Sequence, residues 1–166
     1  MAFDPDEQLD EIGKRLVREL QDNARLSYSE LGRRVGLTPP AVAERMRRME
    51  EAGVIRGYRA EVDPSKLGYP IEAFIRVSAR AASRTEIADI VEGFPEVLEC
   101  HRVTGVDCFV IRAAVTSVQH LQELIDRLMP HGDTVTSIVL SSPVAYRTID
   151  PAASVRHGVP DAEATG

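Results

Sequence analysis

The sequence predicts an α+β protein of two modules: a helix-turn-helix, winged-helix-like in plan, followed by a four-stranded sheet module in the order βαββαβ. Three observations predict it. Apolar residues recur at helical spacing from Leu9 to Met49. The segment "GLTPP", Gly36–Pro40, joins a helix stop directly to a helix start. From Ile71 onward, alternating and helical apolar patterns succeed one another in βαββαβ order.

Leu9, Ile12, Leu16 and Leu20 share one helical face, so about Asp6 to Asp22 reads as an amphipathic first helix. "DNARLS" breaks that pattern. Ser29 is a candidate cap for a short second helix with Leu31 and Val35 inward, and Gly36 supplies the residue for a left-handed stop. Thr38 then stands at the cap of a third helix, with Pro39 at the first position, where a missing N–H is harmless. Two helices joined so tightly make a helix-turn-helix. "GVIRGYRAEVDP" reads as a glycine turn and short strand, and Asp63-Pro64 and Gly68-Tyr69-Pro70 mark a linker.

In the second module Ile71, Ala73, Ile75 and Val77 alternate with Glu72, Phe74, Arg76 and Ser78, the pattern of a half-buried strand. Ile87, Ile90, Val91 and Phe94 follow at helical spacing. "VLECHRVTG" and "DCFVIRAAV" predict two strands hinged at Gly105-Val106. Val118, Leu121, Leu124, Ile125 and Leu128 form another helical stripe, and "TVTSIVLSSPVAY" a last strand. This order is a ferredoxin-like plan with both helices on one sheet face. The other face carries apolar side chains that require a cover, and a second copy of the sheet predicts a homodimer. The predicted division is 1–60 for the first domain, 61–70 for a linker, 71–147 for the second domain and 148–166 for a disordered tail.

Composition is that of a globular protein, 43% hydrophobic and 28% charged over 166 residues, without an apolar run long enough for a membrane span. The acidic N-terminus lacks the order of a signal peptide, so a cytoplasmic location is expected. Cys100 and Cys108 are expected as buried thiols, and neither they nor the histidines predict a metal site. No nucleophile–base–acid order, phosphate loop or cofactor motif is present, so no catalytic residue and no cofactor is expected.

Charge is unevenly distributed. The formal net charge is −6, yet residues 25–60 hold eight arginines against four glutamates. A basic segment in an acidic chain points to an anionic partner, double-stranded DNA first. On the third helix Val42, Met46 and Met49 form the buried stripe. Thr38, Pro40, Ala41, Glu44, Arg45, Arg47 and Arg48 are therefore the candidate groove-facing residues. The competing reading is a solvated helix face whose arginines are salt-bridged to Glu44, Glu50 and Glu51.

"LDEIGKRLVRELQDNARLSYSELGRRVGLTPPAVAERMRRMEEAGVIRGYRAEVDPSKLG" and "VTGVDCFVIR" resemble the Lrp/AsnC, or feast/famine, family of transcription regulators, over roughly Phe3 to Tyr146. The resemblance implies a cytoplasmic regulator, assembled as dimers, tetramers or octamers, that binds an amino-acid effector in a cleft between subunits. It assigns that cleft to Thr104, Gly105, Val106 and Asp107 of the middle hairpin, with Thr134 and Thr136 of the last strand. Gly105 permits close backbone approach and Asp107 suits an ammonium group. Read without the resemblance, "TGVD" is a tight hairpin turn. Two alternatives remain: an enzyme resembling siroheme decarboxylases, drawing on His101, Arg102 and Arg112, and a ligand-sensing module acting through protein partners.

Overall fold

The structure, a computed structural model, describes residues 9–79, 84–106 and 108–151. It divides into two compact units, one comprising the residues up to Ala60 together with those from Val144 on, the other Glu61–Pro143.

Among the described residues the first unit is built on three helices: α1 (Glu11–Asp22), α2 (Tyr28–Val35) and α3 (Pro39–Glu51). Asp10 sets the start of α1 by accepting the Gly13 amide at 2.8 Å. The sequence predicts a start near Asp6; Leu9 and Asp10 lie outside the helix, and 6–8 fall outside the described residues. The cap of α2 is Ser27 rather than Ser29, its hydroxyl taking the Glu30 amide at 3.2 Å. The Ser-x-x-Glu spacing from Ser27 to Glu30 is the signal for that register.

Gly36 ends α2 at φ 78°. The chain then turns so tightly that the amides of Gly36 and Leu37 both donate to the Gly32 carbonyl, at 2.8 and 2.9 Å. Leu16, Leu31, Val35, Val42, Met46 and Met49 form the core of this unit. Full burial of each large side chain contributes roughly 1.5–3 kcal/mol.

No strand forms over 54–63, where the sequence predicts one. An extended segment becomes a strand only when a second backbone pairs with it, and none does among the described residues. A single 3₁₀ turn, Pro64–Leu67, follows.

The second unit contains β1 (Ile71–Ala79), α4 (Arg84–Glu92), β2 (Val97–Arg102), β3 (Phe109–Val115), α5 (Val118–Leu128) and β4 (Gly132–Ile138). The sheet is antiparallel throughout in the order β2-β3-β1-β4. β4 stops at Ile138, opposite Ala73, rather than running to Tyr146; the Val139 amide still reaches the Glu72 carbonyl at 2.9 Å, and β1, which begins at Ile71, offers no partner much beyond it. Ile87, Val91, Leu121, Leu124 and Leu128 from the helices pack with Ala73, Ile75, Val77, Ile111, Ala113 and Val115 on one face.

Glu96, only 7% exposed, ties this layer together. Its Oε1 receives His120 Nε2 at 2.9 Å and Arg127 Nη2 at 2.7 Å. Burial opposes the charge, but these bonds hold the carboxyl below its ordinary range. Cys100 and Cys108 are both free thiols.

The predicted disordered tail is ordered at its start. The Gln21 side-chain amide donates to the Ile149 carbonyl at 2.8 Å and accepts the Ile149 amide at 2.9 Å. Arg18 meets Asp150 at 2.8 Å. Apolar periodicity carries no information about such backbone pairing, which is why the sequence misses it. The remainder, 152–166, lies outside the described residues.

Gly32 is the tightest point of the first unit. A Cβ there would lie 2.4 Å from the Leu37 carbonyl oxygen, a backbone atom that cannot move without opening the turn. Gly32→Ala is expected to lower stability by about 2–3 kcal/mol in chemical denaturation, with the far-UV signal of the native state retained.

Candidate nucleic-acid interface and effector site

Burial of one side of α3 fixes what its other side presents. Val42, Met46 and Met49 are at most 5% exposed, so Pro40, Glu44, Arg47 and Arg48 face outward. Thr38 occupies the N-cap position of α3, yet its side chain makes no capping bond. The first two helical positions, Pro39 and Pro40, have no N–H, and Thr38 stays exposed at the helix entrance. Ala41 is half-buried beside it.

Each arginine of α3 meets a carboxylate, in different ways. Arg45 Nη1 lies 2.8 and 2.9 Å from the two oxygens of Asp10, so it braces α3 against the start of α1. Arg47 spends all three nitrogens: Nε and Nη2 on Glu44 at 3.1 and 2.8 Å, and Nη1 on Glu51. Arg48 donates only Nε, to Glu44 Oε1 at 2.8 Å, with a side chain 71% exposed. Glu50 takes no arginine and instead accepts the Tyr58 hydroxyl at 2.8 Å. The salt-bridged reading of this face is therefore right for Arg47 and incomplete for Arg48.

Outside α3, Arg33 and Arg34 share Glu30, and Arg34 also reaches Glu19. Arg25, Arg56 and Arg59 make no ion pair among the described residues. Among the described residues these three are the unpaired cations of the basic segment. Reading α3 as an isolated wheel passes over them; all three lie outside the helices, where a carboxylate three or four residues away is not held alongside.

The effector-site residues fall into two sets. Thr104, Gly105 and Val106 are exposed in the β2–β3 turn, with Gly105 at φ 110° and Val106 87% exposed. The turn is closed by the Val103 amide on the Cys108 carbonyl at 3.0 Å. Asp107 lies outside the described residues. Thr134 and Thr136, half-buried, stand opposite Val77 and Ile75 on the helix-covered side. Arg102, Phe109, Val77 and Thr134 form one row across the sheet, so the sets share an end but lie apart along it. The turn joins β2 to β3, so two to three strand spacings, roughly 10–14 Å, separate it from β4.

On the open face Arg112 bonds Glu72 through Nε and Nη2 at 3.1 and 2.9 Å, and Glu99 through Nη1 at 2.8 Å. His101 meets the other Glu99 oxygen at 3.2 Å. Arg102, opposite Phe109, falls on the other face. No group of three or more His, Cys, Asp or Glu suited to a metal ion occurs among the described residues.

The pairing of α3 has a pH signature. Hydrogen bonds from Arg47, then Arg48, lower the Glu44 carboxyl from 4.5 to about 2. A depressed carboxyl contributes stability that is complete above the unfolded value and lost as pH falls through the folded one. Carboxyl-carbon NMR should therefore place the Glu44 midpoint at about 2, and Arg47→Ala with Arg48→Ala should return it toward 4.5.

Comparison with known proteins agrees with this two-part layout. Residues 9–50 match the AsnC-type helix-turn-helix domain and residues 72–149 the Lrp/AsnC ligand binding domain. The HTH-type transcriptional regulator LrpC of Bacillus subtilis is 32% identical over 134 residues, covering 81% of this chain and 93% of that protein. A Neisseria meningitidis transcriptional regulator in complex with L-Met superposes with a TM-score of 0.79 at 32% identity, covering 85% of this chain and 96% of that one. A feast or famine regulatory protein from M. tuberculosis complexed with L-methionine gives 0.79 at 33%, covering 86% and 99%. Both domains in the same order, at this identity over nearly the full length of the relatives, establish that the chain belongs to the Lrp/AsnC family.

Proposed function

We propose that the protein is a sequence-specific DNA-binding transcriptional regulator whose DNA binding or assembly is tuned by an amino acid or related small molecule. The carrying observation is the outward face of α3, with Thr38, Pro40, Ala41, Glu44 and Arg48 turned away from the core that holds them. Arg25, Arg56 and Arg59 add unpaired positive charge for a phosphate backbone.

The effector reading rests on the β2–β3 turn and on two relatives whose structures hold methionine. A free amino acid does not span roughly 10–14 Å across the sheet. One ligand therefore touches Thr104–Asp107 and Thr134/Thr136 together only when they come from different copies. The homodimer reading has the same direction. Phe74 and Val135, 43% and 50% exposed, lie on the open face with half-buried Val110. A second sheet placed there buries them and leaves the Arg112–Glu72–Glu99 network at the seam. Larger assemblies, tetramers or octamers, would build on that pair.

The enzyme reading finds less support. His101 and Arg112 are committed to Glu99 and Glu72, and Arg102 belongs to the opposite face, so the three do not converge. Action through protein partners alone leaves the free arginines without a role.

Three outcomes are expected. Affinity for duplex DNA from around the protein's own gene exceeds that for random duplex, and falls linearly on a log–log plot against salt; equal affinity for both rejects the regulator reading. One or a few of the twenty amino acids raise the melting temperature in a thermal-shift screen. Phe74→Glu shifts the mass measured by light scattering toward the single chain.

A further inference from the structure

The outward arginines of α3 are adjacent in sequence and alike in chemistry, yet the structure gives them different remaining capacity. Arg47 lies between Glu44 and Glu51, and each of its nitrogens already donates to a carboxylate. To meet DNA it would have to break bonds at both ends. Arg48 is held by one edge. Its Nε donates to Glu44 Oε1, while Nη1 and Nη2 take no partner among the described residues. Those two nitrogens form the outer edge of the planar fork, the part that matches paired acceptors.

Glu44 also sets where that edge points. The bond from Arg48 runs four residues back along α3, one turn toward the helix N-terminus. It draws the guanidinium toward Pro40, Ala41 and Glu44, the half of a recognition helix that enters a major groove. The carboxylate is shared with Arg47, which clamps it from the other side. The order along the helix surface is thus brace, clamp and reader.

We propose that Arg48 is the sequence-reading side chain of α3, presenting paired Nη–H groups to the N7 and O6 acceptors of a guanine, and that Glu44 is the residue that positions it. Arg47 serves as the clamp on Glu44 and does not contact the base. This deepens the DNA-binding reading and rests on it. It also gives Glu44, an anion at a phosphate-facing surface, a reason to be there. Its negative charge weakens binding to any duplex, and in exchange the fork is fixed before DNA arrives.

The test uses the full chain and a duplex enriched from a random pool by the wild-type protein. Affinity for it and for an unselected duplex is measured at the same salt for wild type, E44A, R47A, R48A and R48K, each checked for an unchanged melting temperature. R48A is expected to reduce the preference for the selected duplex roughly 5- to 150-fold, the discrimination of one bidentate base contact. R48K should lose most of that preference while keeping the charge, and so serves if truncation unsettles the helix. R47A should change preference by less than about threefold, below the range of one bidentate contact.

E44A separates positioning from simple repulsion: binding to the unselected duplex should tighten while preference falls. The assignment is overturned if R47A and R48A lose preference equally. It is also overturned if R48A weakens both duplexes alike with a salt slope shallower by about one, the mark of a phosphate contact. An E44A protein that tightens on both duplexes to the same degree removes the positioning role. Failure of the wild type to enrich any duplex rejects the regulator reading itself, a result distinct from these.

Discussion

Burial of Val42, Met46 and Met49 is the constraint on which the first unit depends. Three side chains at i, i+4 and i+7 can be hidden together only if α3 has one rotation about its axis, and that rotation decides every outward residue. The Gly32–Leu37 turn fixes the remaining freedom. Two amides converge on one carbonyl there, and a single added methyl has no space. Arg45 on Asp10 then locks the start of α1 to the flank of α3. The binding face is thus a by-product of packing: hydrophobic burial aims it, and local carboxylates decide which cations are left for a partner.

Much of this was legible in the sequence, and the gaps have physical causes. Strong apolar periodicity located all three helices of the first unit and the βαββαβ order of the second, because burying one face imposes its period on the chain. Boundaries were less legible. Ser27 and Ser29 are alike as capping residues, and only the Glu three residues after Ser27 separates them in the sequence, as the Glu30 amide on its hydroxyl confirms. The overlong last strand was misread because strand length is set by the neighbour, and β1 begins too late to pair the chain as far as Tyr146. The short strand after α3 failed for the same reason, having no neighbour among the described residues.

For the candidate site, residue type and spacing identified the α3 face but not its division of labour. Arg47 and Arg48 are indistinguishable as letters. The difference arises because Glu51, four residues beyond Arg47 and three beyond Arg48, bonds Arg47 and not Arg48. The unpaired Arg25, Arg56 and Arg59 were visible only as charge. The hairpin and the two threonines were placed on their strands correctly, while their separation across the sheet depends on the strand order, which pattern alone does not provide.

The Gln21–Ile149 pairing and the Arg18–Asp150 bridge make the head discontinuous in sequence. The chain leaves it after Ala60 and rejoins it at Val144, so the sensing module is topologically an insert within the reading module. A fragment excised at Ala60 would keep all three helices and still be an incomplete head, with Gln21 and Arg18 stripped of their clasp. The natural cut for dissecting this protein is a pair of cuts, with the downstream strip retained.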